Sequence, residues 1–309
     1  MDRFDSMRVF ARIMECRSFT RAAEDLGLPR ATVTDAIKAL EARLGVRLLQ
    51  RTTRQVTPTL EGEVFYGRCL RLIADLEDAE SAFRDNGPSG ALRIDVHGTM
   101  ARHLLFPRLP EFLARYPGIE LDVSEGDRYV DLVRQGVDCA IRAGELRDSD
   151  MVARRLTTLA EATAASPAYC ARHGVPADID ALQADGHLMV GFHSTASGTV
   201  LPLEFQQDGR VRELSLPARV RVRGADSYLG AGLAGFGLIQ VPRYRLEAYF
   251  ADGRLRPLLE AWPPTSMPVS IVYPRTRLPS PRLRAFIDWA GEVFQTSPGP
   301  RRAEVAGTT

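Results

Sequence analysis

The fold is decided by residues 18–44: Ser18-Phe19-Thr20-Arg21-Ala22-Ala23-Glu24-Asp25-Leu26-Gly27-Leu28-Pro29-Arg30-Ala31-Thr32-Val33-Thr34-Asp35-Ala36-Ile37-Lys38-Ala39-Leu40-Glu41-Ala42-Arg43-Leu44. Ser18 suits the N-cap of a helix that turns Ala22, Ala23 and Leu26 inward and stops at Gly27. Pro29 suits the first position of the next helix, where a missing N–H leaves nothing unsatisfied. In that helix Val33, Ile37, Leu40 and Leu44 recur at helical spacing, with Ala36 beside them, and Gly45 ends it. Two short helices joined through Gly27 and Leu28 make a helix-turn-helix, and Ala22 and Ala23 let them approach closely. The outward face of the second carries Arg30, Ala31, Thr32, Thr34, Asp35 and Lys38, short or charged side chains that can reach base edges and phosphates.

The flanks extend this unit. Upstream, Phe4, Met7, Phe10 or Ala11, and Met14 form an amphipathic helix. Downstream, Val46, Leu48 and Leu49 read as a strand, Arg51-Thr52-Thr53-Arg54 as a basic turn and Gln55-Val56-Thr57 as a returning strand. That hairpin is a wing whose Arg51 and Arg54 are placed to neutralise phosphates. The alternative is a three-helix scaffold with a merely solvated surface; the basic hairpin directly after the third helix favours DNA. Charge agrees. The chain carries +1, but residues 1–58 hold 11 basic and 7 acidic side chains, leaving the remainder at −3.

The quoted run, together with Leu44-Gly45-Val46-Arg47-Leu48-Leu49, Arg51-Thr52-Thr53-Arg54 and Thr59-Leu60-Glu61-Gly62, resembles the N-terminus of the LysR-type bacterial transcriptional regulators. It departs from that pattern at Pro29-Arg30, where the family more often has a serine-glutamine pair, at Thr34 and at Asp35. Those departures bear on base preference; Asp35 is suited to accept from a cytosine amino group. The resemblance implies sequence-specific binding to double-stranded, near-palindromic DNA, self-association as a dimer or tetramer, a small-molecule effector, and RNA polymerase as a further partner.

From Thr59 to Phe83 the pattern stays helical, and Phe65, Cys69, Leu72, Leu76, Ala79 and Phe83 alternate steps of four and three. This heptad seam is expected to pair two chains; the alternative is packing on the protein's own body. Cys69 in the seam reads as a small core residue rather than a redox switch. Residues 86–90, Asn-Gly-Pro-Ser-Gly, form a linker.

Beyond it, strand and helix alternate from Leu92-Ile94-Val96 to Ser270-Ile271-Val272, the pattern of parallel α/β sheets. A long helix is expected to follow Gly98-Thr99-Met100 and run to Arg115. The mildly apolar stretch 156–165 and Pro263-Pro264 mark two crossings between lobes. The fold expected is therefore α/β with an all-α winged helix-turn-helix head: 1–58 the head, 59–87 a linker helix, 91–295 an effector domain of two α/β lobes like type 2 periplasmic binding proteins (91–162 with 266–295, and 163–265), and 296–309 a disordered tail. Leu109 to Pro117, Asp138 to Arg142 with Gly144, and Gly235 to Ile239 with Pro242 carry the same family resemblance here.

In such lobes a ligand sits at strand carboxyl ends and helix N-termini. Thr99 with Met100 follows the first strand, and reads equally as an anion donor or an ordinary cap. The opposite lobe offers Phe192, His193 and Ser194, with Asp226 at a helix start and Leu238 as a wall. His193 without partners is as well read as a solvated loop residue. Arg142 is suited to an effector anion, or to the acidic loop 145–150. An anionic effector is expected.

Several classes are excluded. No GxSxG, HExxH, P-loop or dinucleotide fingerprint stands in the required context, so an enzyme is not indicated. Cys16, Cys69, Cys139 and Cys170 lack metal or disulfide spacing, and no metal or cofactor is expected. No apolar stretch approaches the roughly 20 residues of a membrane span, and the N-terminus has no signal-peptide core, so a cytoplasmic protein is expected, with no membrane partner.

Overall fold

A computed structural model of the chain describes residues 1–51, 56–81, 87–126, 136–146, 151–194, 198–275 and 279–296. Helix α1 (Arg3–Cys16) starts at a reciprocal cap in which Asp2 accepts from the Asp5 amide and Asp5 accepts from that of Asp2. Helix α2 (Phe19–Asp25) is capped by Ser18 Oγ, which accepts from the Arg21 amide. Gly27 turns the chain at φ +63°, a conformation that favours glycine. Helix α3 (Arg30–Leu44) begins one residue later than expected: Pro29 is its N-cap, with extended ψ of 139°. Val9, Phe10, Ile13, Ala22, Val33, Ile37 and Leu40 close into one core. Strands β1 (Leu49–Arg51) and β2 (Val56–Pro58) pair antiparallel, as a wing requires; its tip, with Thr52, Thr53 and Arg54, lies outside the described residues.

Helix α4 (Leu60–Ser81) corrects the expected seam. Phe65 packs on Phe10 with ring centroids 5.6 Å apart, and Cys69 is fully buried in the head core. Cys69 is thus held by its own chain and is not available to a partner, whereas Phe65, half-buried, keeps one side uncovered. Leu72, Leu76 and Ala79 are exposed, whereas Phe83 lies outside the described residues.

The body holds two principal sheets. In the first, β3 (Gly90–Val96) runs parallel to β4 (Ile119–Glu125) and β5 (Cys139–Ala143). Strand β14 (Met267–Pro274) lies antiparallel between β5 and β6 (Met151–Leu159). The second sheet is antiparallel, with β7 (Glu161–Ala165) between β12 (Ile239–Pro242) and β13 (Arg256–Leu258). Both sheets thus depart from the wholly parallel expectation, the first because the chain returns to that lobe antiparallel to the strand by which it left. Parallel pairing recurs where β8 (Gly191–Phe192) meets β11 (Arg221–Val222) and where Met189 bridges Leu238. The outward crossing falls at Ala160, between β6 and β7, so residues 161–162 go with the second lobe.

The long helix expected after Gly98-Thr99-Met100 is broken. An α-turn, α5 (Gly98–Met100), continues as a π-turn over Ala101–Leu105, and α6 covers only Leu109–Arg115. Pro107 has no N–H to donate, and the chain turns at 106–108 instead of bonding through it. Helix α11 (Pro281–Thr296) lays Phe286, Trp289 and Phe294 on Phe112, Ile94 and Ile141 to close the first lobe. Thr296, expected at the start of the tail, is its last turn and accepts from Arg108 Nη1 at 2.7 Å; residues 297–309 lie outside the described residues.

Candidate DNA interface and effector cleft

The head presents α3 by burying one side of it. With Val33, Ile37 and Leu40 wholly covered and Ala36 nearly so, Arg30, Ala31, Asp35 and Lys38 are left exposed and Thr32 and Thr34 half-buried. Lys38 Nζ stands 3.7 Å from an Asp35 carboxylate oxygen, so the acid partly offsets the base beside it. Orientation of the hairpin against α3 rests on a group the sequence reading did not single out. Glu41 Oε1 accepts from the backbone amides of Leu48 at 2.8 Å and Leu49 at 3.1 Å. Thr59 adds a second tie: its hydroxyl donates to the Arg47 carbonyl at 2.7 Å and accepts from the Gly62 amide, capping α4. Gly62 is required there, since a Cβ would overlap the Leu48 carbonyl oxygen. The side chains of Arg51 to Arg54 lie outside the described residues.

The lobes meet near the end of β3. Thr99 is buried and stands 2.8 Å from the His97 ring. One turn on, Arg102 Nη1 donates to Asp226 Oδ2 at 3.0 Å, across from the first lobe to the second. Asp226 lies in the first turn of α9 (Ala225–Leu233), and its Oδ1 accepts from Arg245 Nη2 at 2.8 Å. Asp226 is held below the usual carboxylate range, first by the Arg102 hydrogen bond and further by the charges of both arginines. His103 is edge-on to Tyr244; burial, then Arg245 and Arg102, push its pKa down.

Of the expected cleft residues, Thr99 and Asp226 thus come together at one place. Phe192 packs on Tyr228 within the second lobe, with centroids 5.2 Å apart. His193 is tied by its backbone to Val200 and Val222, and Ser194 donates its amide to the Thr199 carbonyl. Met100 and Leu238 are core residues, 2% and 0% exposed, so their side chains are spent on packing and not on the cleft surface. Arg142 is also buried, and forms an ion pair with Asp95 at the end of β3. Arg102, Tyr244 and Arg245 escaped the sequence reading: residues 102 and 226 are far apart in the chain, and only the stacking of the lobes joins them. Among the described residues no cluster of His, Cys, Asp or Glu could hold a metal ion, and no helix is long and apolar enough to cross a membrane.

Comparison with known proteins bears on this architecture. Residues 4–63 match the family described as bacterial regulatory helix-turn-helix protein, lysR family, and residues 85–295 match the LysR substrate binding domain. Over 96% of its length the chain is 37% identical to the uncharacterized HTH-type transcriptional regulator YhjC of Escherichia coli K12, covering 99% of that protein. An HTH-type transcriptional repressor of Pseudomonas aeruginosa is 34% identical over 96% of this chain and 94% of its own. Among solved structures, CrgA, a LysR-type regulator from Neisseria meningitidis, superposes with a TM-score of 0.59 at 33% identity, covering 94% of this chain and 98% of that one. The virulence activator AphB of Vibrio cholerae gives 0.56 at 26% identity over the same shares. With both of its parts matched and relatives aligned along nearly its whole length, the chain belongs to the LysR family of DNA-binding, effector-responsive transcriptional regulators, and is not an enzyme.

Proposed function

We propose that α3 reads base edges in the major groove of a near-palindromic site through Arg30, Ala31 and Thr34, with Thr32, Asp35 and Lys38 adjusting preference, while Arg51, Thr52, Thr53 and Arg54 of the wing hold phosphates. The observation that carries this is the one-sided burial of α3: Val33, Ile37 and Leu40 are consumed by the head, and on the opposite face Arg30, Ala31, Asp35 and Lys38 are exposed. The chain is divided into a DNA-binding head (1–58), a linker helix (59–87) and an effector domain (91–295). Self-association uses the exposed face of α4. Leu72 and Leu76 continue from an apolar groove of about 300 Å³ lined by Leu44, Val46, Leu60, Val64, Phe65 and Arg68, and a second copy covers both. The pairing sets the spacing of two recognition helices. A small anionic effector between the lobes changes their closure, and with it the angle of the heads, the bend of the DNA and the contact with RNA polymerase, in the cytoplasm.

Two variants test the assignment. Arg54→Ala is expected to weaken binding to all DNA sequences and to lower the slope of affinity against salt by about one counterion. Arg30→Ala is expected to change the sequence enriched from a random pool. An unaltered salt slope in the first and an identical enriched site in the second would together remove the proposed roles.

A further inference from the structure

We propose that Arg102 and Arg245 form an oxyanion subsite between the lobes, which Asp226 fills as a tethered counter-ion until a phosphate-class group displaces it. This rests on the reading of the body as an effector domain and assigns chemistry to one part of its cleft.

One carboxylate held by two guanidinium groups, one from each lobe, is the arrangement in which proteins bind a free carboxylate or phosphate. Here both oxygens of Asp226 are used, Oδ2 on Arg102 and Oδ1 on Arg245. The two arginines differ in kind. Arg102 is more than half exposed, whereas the side chain of Arg245 is 4% exposed. A buried guanidinium needs acceptors for its donors, yet Arg245 Nε is buried with no hydrogen-bond partner among the described residues. Asp226 has no third oxygen to offer it. A tetrahedral oxyanion does, and the start of α9 adds amides there, since its N-cap Gly224 has no side chain to occupy them. Glu125 acts on Arg102 through space and opposes an added anion in part, while burial, then the same arginines, push the pKa of His103 down. The Asp226–Arg102 pair is itself exposed on both sides, and such pairs are weak enough to exchange with a ligand. Displacement would free α9 from Arg102 and so uncouple the lobes at this point, giving the ligand a differential hold on two arrangements.

The test uses the full-length protein, inorganic phosphate as the probe and acetate as a two-oxygen comparison, titrated by calorimetry at constant ionic strength. Asp226→Asn removes the tethered carboxylate and is expected to bind phosphate at least tenfold more tightly than the wild type, with a smaller gain for acetate. Adding Arg245→Gln to that variant should abolish the gain; Arg102→Gln should reduce it. Circular dichroism establishes that each variant is folded. Equal phosphate affinity in wild type and Asp226→Asn would overturn the proposal, as would a gain that survives Arg245→Gln. A DNA footprint insensitive to every small molecule tried would instead count against the effector reading, and leaves this binding measurement standing.

Discussion

Replacing Glu41 by alanine is expected to loosen the wing from the recognition helix without touching either surface. Oε1 of Glu41 takes two backbone amides, at 2.8 and 3.1 Å, and the residues that own them, Leu48 and Leu49, are buried. A hydrogen bond to a charged group contributes about 1.5–3 kcal/mol, so two would amount to about 3–6 kcal/mol. Truncation lets water reach part of the vacated space, and a loss of about 2–4 kcal/mol is the expected result. With a urea slope of about 2 kcal/mol/M, the unfolding midpoint of the head should fall by about 1–2 M. Glu41→Gln retains an acceptor oxygen without the charge and should lose roughly half as much. Urea titration followed by helical circular dichroism gives the magnitude, and hydrogen exchange at the Leu48 and Leu49 amides gives the location. Unchanged protection of those two amides in Glu41→Ala would refute the reasoning even if the protein were destabilised elsewhere.

Two further outcomes follow from the body and one from the junction of head and linker helix. Burial, and then the neighbouring charge of Glu204, push Glu161 up to about 7; the folded state keeps that proton while the unfolded chain gives it up near 4.5, so the penalty grows as pH rises and is complete above 7. Glu161→Gln should therefore exceed the wild type in unfolding free energy by up to about 3 kcal/mol at pH 8 and by less than about 1 kcal/mol at pH 5, and equal stabilities at pH 8 would contradict this. His187 has the opposite sign: burial, with a contribution from His173, holds its pKa down against the pull of Asp185. Its stabilisation is present above about pH 6.5 and is lost as pH falls, so the fall in thermal midpoint from pH 7.5 to 5.5 should be smaller in His187→Gln; an equal fall would exclude it as a source. Gly62→Ala should lower the urea midpoint of the head, because the new methyl group meets the Leu48 carbonyl and the backbone must move; a midpoint equal to wild type would mean the junction is more pliable than this packing requires.

What was legible in the sequence was local. Val33, Ile37 and Leu40 lie within two turns of one another, so their spacing alone determines which side of α3 is buried. Ser18 announces its own helix start for the same reason. The linker misled because periodicity gives the stripe and not its cover: Phe65 and Cys69 share a seam with Leu72 and Leu76, but the head reaches only the first two. Pro107 stood in plain view inside the expected long helix, and its missing N–H was outweighed in the reading by the apolar run around it. Sheet direction was not local at all. Alternation of strands and helices suggested parallel pairing, whereas the return of the chain through β14 makes the first sheet mixed. The Arg102–Asp226 pair depends on the meeting of the lobes and the Asp226–Arg245 pair on packing within the second, so no spacing in the sequence carried them. Arg142 illustrates the converse: it reads as following a strand, but it lies inside β5, and Asp95 answers its charge from the neighbouring strand.

The central claim is that the head binds DNA by sequence and that the body is its sensor. A nuclease footprint of the full-length protein on the DNA upstream of its own gene and of the divergent neighbour tests it most directly. The expected result is a protected, roughly palindromic site whose occupancy falls steeply with salt and whose boundaries shift when an effector is present. A folded, self-associated protein that protects no specific site at low salt would contradict the account.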